Sequence, residues 1–164
     1  MKKFIPIILL LLFYSCAWFN PEYTSGLEGQ ALPALSLQLP DSSTFTTMSI
    51  PAGKSVILFL YQPSCPYCKV EIDELLHNMQ YLKDIPIYMI TSYSYPMIQT
   101  FARQHHLSQY PNIVLLRDSS QQLLDYYNAP GVPYIAIYNG QKRLKKVIVG
   151  KQDHETLKRA ITNL

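Results

Sequence analysis

Cys65 and Cys68 stand two residues apart in YQPSCPYCKVEIDEL, residues 61–75, directly ahead of apolar positions at helical spacing. Three chemistries use such a pair: a redox dithiol, half of a metal site, or a structural disulfide. Two intervening residues at a helix start let both sulfurs come within bonding distance. Cys65 then falls at or just before the first turn, where free backbone N–H groups and the positive end of the helix dipole favour a thiolate. Cys68 lies one turn in, more buried, with its sulfur able to reach back. Pro66 suits the first helical position, where its missing N–H is not needed. The spacing makes Cys65 the candidate nucleophile and Cys68 the resolving thiol.

The metal reading needs more ligands, because zinc takes four, or three and a water. Beyond the pair the chain offers four histidines, His77, His105, His106 and His154, none at ligand-like spacing to it. All four read as ordinary surface residues, and no metal or cofactor is expected. A structural disulfide leaves the place of the pair, at the end of an apolar run, unexplained. At 164 residues the chain can also bury a core that needs no staple. A second feature is GVPYIAIYNG, which sets Val132-Pro133 just ahead of a β-favouring run. A proline there can hold a cis peptide bond and present a backbone edge to an incoming polypeptide. Taken alone, it reads as an ordinary strand-start proline.

The third cysteine, Cys16, closes MKKFIPIILLLLFYSC. Lys2 and Lys3 precede an apolar run from Phe4 to Tyr14 that only Pro6 interrupts, the layout of a secretory signal. The run is too short to span roughly 30 Å of hydrocarbon comfortably. Ser15-Cys16 resembles a bacterial lipobox, with Phe13 and Tyr14 bulkier than usual. The expected organisation is a signal peptide over 1–15, a lipidated Cys16 with a tether over 16–30, and one domain over 31–164. That places the domain in the bacterial cell envelope, lipid-anchored and facing the periplasm, an oxidising compartment in which a dithiol pair needs a redox explanation. The formal charge of +3 falls to +1 once Lys2 and Lys3 are removed, which gives no footprint for nucleic acid. With 48% apolar and 15% charged residues the composition is that of an ordinary globular domain.

The elements that must position the pair follow from pattern. ALPALSLQLPDSSTFTTMSI reads as two short strands around a turn at 40–43. SVILFLY, 55–61, is a continuous apolar run, as in a strand buried on both faces. Val70, Ile72, Leu75, Leu76 and Met79 keep helical spacing to about Leu82. Further strands are expected over 85–93 and 112–118, and helices over 96–107 and 119–128. Residues 134–150 form a hairpin signal around Asn139-Gly140, and 153–164 a last amphipathic helix capped by Asp153. The order predicts an α/β domain, a mixed sheet with helices on both faces, and the pair on the loop that leaves a central strand.

Together these residues resemble the thioredoxin-like superfamily from about Leu32 to the end. They are most similar to its redoxin branch, the TlpA-like thiol-disulfide oxidoreductases and the AhpC/TSA group. LPALSLQLPDSSTFTTMSIPAGKSVILFLYQPSCPYCKVEI follows that branch's opening, and GVPYIAIYNGQKRLKKVIVG its cis-proline strand and hairpin. The resemblance implies a thioredoxin-like fold with an N-terminal β-hairpin, an attacking Cys65, a resolving Cys68 and a cis Pro133. It also implies that Glu71, three residues after Cys68, influences the proton transfers of the dithiol. The implied activity is disulfide exchange with protein dithiol or disulfide substrates, as a reductant supplied by an upstream electron donor, in a monomer. Thiol peroxidase activity and non-catalytic binding of a metal or a partner chain are the alternatives. The peroxidase signature has a threonine or serine where this chain has Gln62, and a proline where it has Phe59. Thioredoxin's buried aspartate is also Phe59 here, and Tyr61 stands where tryptophan is usual.

Overall fold

A computed structural model describes residues 23–162. Its strands are β1 (Ser36–Gln38), β2 (Thr44–Thr46), β3 (Val56–Leu60), β4 (Ile87–Thr91), β5 (Ile113–Arg117), β6 (Tyr134–Tyr138) and β7 (Leu144–Val149). Its helices are α1 (Pro66–His77), α2 (Met79–Leu82), α3 (Tyr95–Gln104), α4 (Gln122–Tyr127) and α5 (His154–Thr162). The strands form one sheet in the order β2-β1-β5-β4-β3-β6-β7. β3, β4 and β5 run parallel, while the β1–β2 hairpin and the β6–β7 hairpin make the two ends antiparallel. This is the thioredoxin-like α/β fold, with the expected N-terminal hairpin.

β3, β4 and β6 have every residue buried, because both faces of the sheet are covered. Alternation along each strand divides the core in two. Ile57, Phe59, Met89 and Ile135 meet Cys68, Ile72 and Leu75 of α1, Phe101 of α3 and Leu157 of α5. Leu58, Leu60, Tyr88 and Ala136 meet Leu123 and Tyr127 of α4 on the other face. There the hydroxyls of Tyr127 and Tyr138 lie 2.6 Å apart, so burial leaves them paired.

The helix expected to run to Leu82 is broken at Asn78, which caps α1 through its N–H to the Leu75 carbonyl. Its side chain turns back to the Glu74 carbonyl, so the asparagine competes with its own helix and ends it. The turn between β6 and β7 is longer than an Asn-Gly pair: Asn139 Oδ1 accepts from the N–H groups of Gln141 and Arg143, and Lys142 takes φ 57°. Gly140 has a packing reason instead. A Cβ there would lie 3.2 Å from the Gly53 carbonyl carbon, and the Gly53 N–H donates to the Gly140 carbonyl at 2.8 Å. Asp153 caps α5 through Oδ1 to the Thr156 N–H. Residues 27–32 are stitched to the same hairpin. The Gly29 N–H donates to Leu144 O at 2.7 Å, the Leu144 N–H to Gln30 O, and the Leu32 N–H to Lys142 O. The expected signal peptide and Cys16 lie outside the described residues.

Candidate active site

The fully buried run VILFL ends β3 at Leu60, and the chain turns through Gln62, Pro63 and Ser64 before α1 begins. Cys65 is the N-cap of α1, with Pro66 in the first turn, so its extended backbone (φ −75°, ψ 119°) precedes the free N–H groups. Its side chain is half-buried, whereas Cys68, one turn on, is fully buried. Both thiols are free, and the two side chains are in hydrogen-bonding contact. Cys65 Sγ also lies 3.9 Å from the Val132 carbonyl. The Val132–Pro133 bond is cis, and Pro133 is buried. The structure therefore places Cys65, Cys68 and the Val132–Pro133 peptide together.

Burial pushes the Cys68 thiol up to about 12. A backbone hydrogen bond from Gln62 works against that rise, and the neighbouring Cys65 and Glu71 add to it. Glu71 sits one turn further along α1 and is fully buried. Oε2 accepts the Gln152 N–H at 2.8 Å, and Oε1 has no partner among the described residues. Burial raises its carboxyl to about 7, with the Gln152 hydrogen bond and Lys151 acting against the rise and Glu74 adding to it. Glu71 is thus no solvent-facing helix residue but an acid poised near neutrality behind the buried thiol.

Tyr61, at the end of β3, stacks on Phe59 at 6.0 Å and on Phe101 at 4.8 Å between ring centres. Its hydroxyl is buried with no partner among the described residues, and burial first, then Cys68, raise it well above an ordinary tyrosine. Tyr61→Phe removes only that unpaired group. It should raise the denaturant midpoint, with about 1 kcal/mol of added stability.

The histidines go elsewhere. His77 Nδ1 meets the Asp73 carbonyl, and His154 Nδ1 meets Glu74 Oε2. His105 departs from the surface expectation: α3 ends there, so it sits four residues after Phe101 and packs on that ring at 4.4 Å. It bonds Asp73 Oδ1 at 2.6 Å with only 9% of its side chain exposed. Among the described residues no three His, Cys, Asp or Glu side chains are placed to hold a metal ion. Pattern reading missed Gln152, which acts through a backbone N–H that no side-chain motif signals.

Beside Cys65, an apolar groove of about 350 Å³ runs over Pro63, Pro96, Met97 and Phe101 with Lys69 at its edge. Tyr67, between the cysteines, is 62% exposed.

The sequence profile of the AhpC/TSA family matches residues 29–152. Among curated proteins none matches the chain. Several solved structures share its fold. A secreted disulfide oxidoreductase of Mycobacterium tuberculosis superposes with a TM-score of 0.67 at 18% identity, over 80% of this chain and 96% of that one. The thioredoxin domain of a thiol-disulfide oxidoreductase from Bacteroides vulgatus gives 0.65 at 20% identity, over 82% and 97%. Enterococcus faecalis AhpC gives 0.66 at 16% identity, over 84% and 91%.

Proposed function

We propose a function from one premise: the chain belongs to the AhpC/TSA family. It is a redoxin of thioredoxin-like fold, and its reaction is thiol-disulfide exchange with protein substrates, run as a reductant. The observation that carries this reading is the pairing of a half-buried Cys65, against the Val132 carbonyl, with a fully buried free Cys68 behind it.

The Cys65 thiolate attacks one sulfur of a target disulfide. That S–S bond breaks, the target's other sulfur leaves as a thiolate and takes a proton, and Cys65 is joined to the target. Cys68 must then lose its proton, which burial holds tightly. Glu71, raised to about 7 and one turn away, is the acceptor in reach of the same buried space. The Cys68 thiolate attacks Cys65 Sγ, the second target thiol departs, and Cys65–Cys68 becomes the disulfide. Two electrons pass to the target, and an upstream dithiol donor restores the pair. Strong oxidants stabilise the thiolate of their reduced form. The potential of the Cys65–Cys68 couple sets the direction of exchange.

Insulin reduction by dithiothreitol tests the activity: the domain should accelerate it, and a rate equal to dithiothreitol alone sinks the reading. A reduction potential near or below about −250 mV fits a reductant, and one near about −120 mV overturns the direction. The chain is further taken to be an envelope protein acylated at Cys16 and cleaved before it. Mass spectrometry of membrane fractions decides this, since a free thiol at residue 16 or a mature N-terminus elsewhere excludes it.

A further inference from the structure

A second groove, of about 400 Å³, lies against Val132 and Gln62 and runs along Gln121, Leu124, Asp125 and Asn128. Through Gln62, Gln121 and Leu124 it shares its lining with a recess of about 10 Å³, which Thr91 and Asp118 also line. Asp118 is 3% exposed. Its Oδ2 accepts the Leu123 N–H at 2.9 Å, while Oδ1 is buried without a partner among the described residues. A carboxylate oxygen left so is costly unless a donor arrives. Asp118 and Asp125 are the charged residues of the two linings, and both are acidic. The wall they sit on is held in an uncommon form: Gln121 and Asn128, at the two ends of α4, have φ 59° and 44°.

A recess this small holds one water-sized group. A lysine ammonium fits that volume, and the planar, forked head of arginine does not. The groove carries the rest of the side chain, whose methylenes can lie on Leu124. We infer that this groove selects target polypeptides with a lysine close to the cysteine under attack, its ammonium meeting Asp118 in the recess with Asp125 beside it. The inference deepens the exchange reading above and rests on it. The reacting sulfurs sit at Cys65, and Val132 is common to the groove and to the Cys65 contact. Asp118 and Asp125 are specificity residues, which touch the target away from its sulfur.

The test uses peptides with one cysteine in a mixed disulfide with 2-mercaptoethanol. Lysine, arginine or its neutral twin norleucine is placed in turn at each position within about four residues of the cysteine. The reduced full chain is mixed with each for a single turnover, and the readout is the ratio of lysine to norleucine in the second-order rate constant for oxidation of the Cys65–Cys68 pair. At one position the ratio should reach about tenfold, as for a hydrogen bond to a charged group. It should exceed the arginine ratio and shrink with added salt. A lysine also makes its neighbouring thiol a better leaving group, an effect that every variant retains. Asp118→Asn and Asp125→Asn should therefore lower the ratio only by the recognition part. Equal ratios in the wild type and both variants overturn the inference, as does an equal gain from arginine or a ratio that does not change with salt. Asp125 is exposed, so its variant decides the matter if loss of the Leu123 contact unfolds Asp118→Asn. 2-Hydroxyethyl disulfide separates the two failures. If it is reduced without lysine preference, selectivity alone is wrong; if neither it nor any peptide is reduced, the exchange reading falls too.

Discussion

Cys68→Ser should stop turnover and leave the protein covalently joined to its targets. Cys65 remains half-buried at the start of α1 and can still attack, but the thiol that releases the target is gone. Resolution inside the protein gains from proximity, so its loss should cost at least about a hundredfold in steady-state reduction. Mixed disulfides should accumulate on non-reducing gels and vanish with dithiothreitol, and mass spectrometry of the captured chains would identify the targets. Cys65→Ser should lose as much activity and trap little, because Cys68 is fully buried. Iodoacetamide should label Cys65 first in the reduced wild type. Labelling of Cys68 first, or better trapping by Cys65→Ser, reverses the two roles. If neither variant traps anything and neither loses activity, the dithiol is not the site.

Glu71→Gln should separate the stability of the domain from its pH dependence. In the unfolded chain a glutamate ionises near its ordinary 4.5, whereas burial raises it to about 7 in the folded one. The folded state favours the neutral acid, so this group's contribution is fully present below about pH 4.5. It is lost as pH rises through about 7. The lost contribution is on the order of 3 kcal/mol, from the usual worth of a pKa unit. An amide cannot ionise. The variant should therefore gain on the order of 3 kcal/mol over the wild type between pH 4.5 and pH 8, whatever constant penalty its own NH₂ incurs. Denaturant melts at the two pH values measure this, and parallel curves would show that Glu71 does not titrate in that range. Activity should move the other way. Release of a preformed mixed disulfide should slow by about a hundredfold at pH 8, the usual worth of a positioned base, and lose its rise through neutrality. An unchanged pH profile would reduce Glu71 to a structural group.

The order of elements and the place of the pair were legible because they depend on local pattern. VILFL can only be a strand covered on both faces, and a proline after a cysteine suits a helix start. Where a side chain turned against its own backbone, pattern misled. Asn78 ends α1 by bonding the Glu74 carbonyl, and Asn139 widens a turn by accepting two N–H groups. The surface reading of His105 failed for a related reason: helical phase after Phe101 carries it onto that ring, and no polar pattern reveals this. Family resemblance singles out Glu71, but its partner is a backbone N–H 81 residues away that no spacing rule connects to it. Asp118 falls at the end of the strand expected over 112–118, and nothing in that apolar pattern signals its unpaired oxygen.

With the lipid proposed at Cys16, the backbone stitches between residues 29–32 and the β6–β7 hairpin would shorten the leash of the domain. Leu27 already packs on the core, so the ten residues between Cys16 and Leu27 set the longest tether a lipid at Cys16 could have. Fully extended they reach no more than roughly 40 Å. The catalytic domain would then patrol a shallow layer above the bilayer instead of the whole compartment. Within that layer its effective concentration towards other membrane-attached chains is high, and towards freely diffusing ones it is not. Lengthening the segment before Leu27 with Gly-Ser repeats should widen the range of trapped partners, and clipping it should narrow that range, with the chemistry at the dithiol untouched.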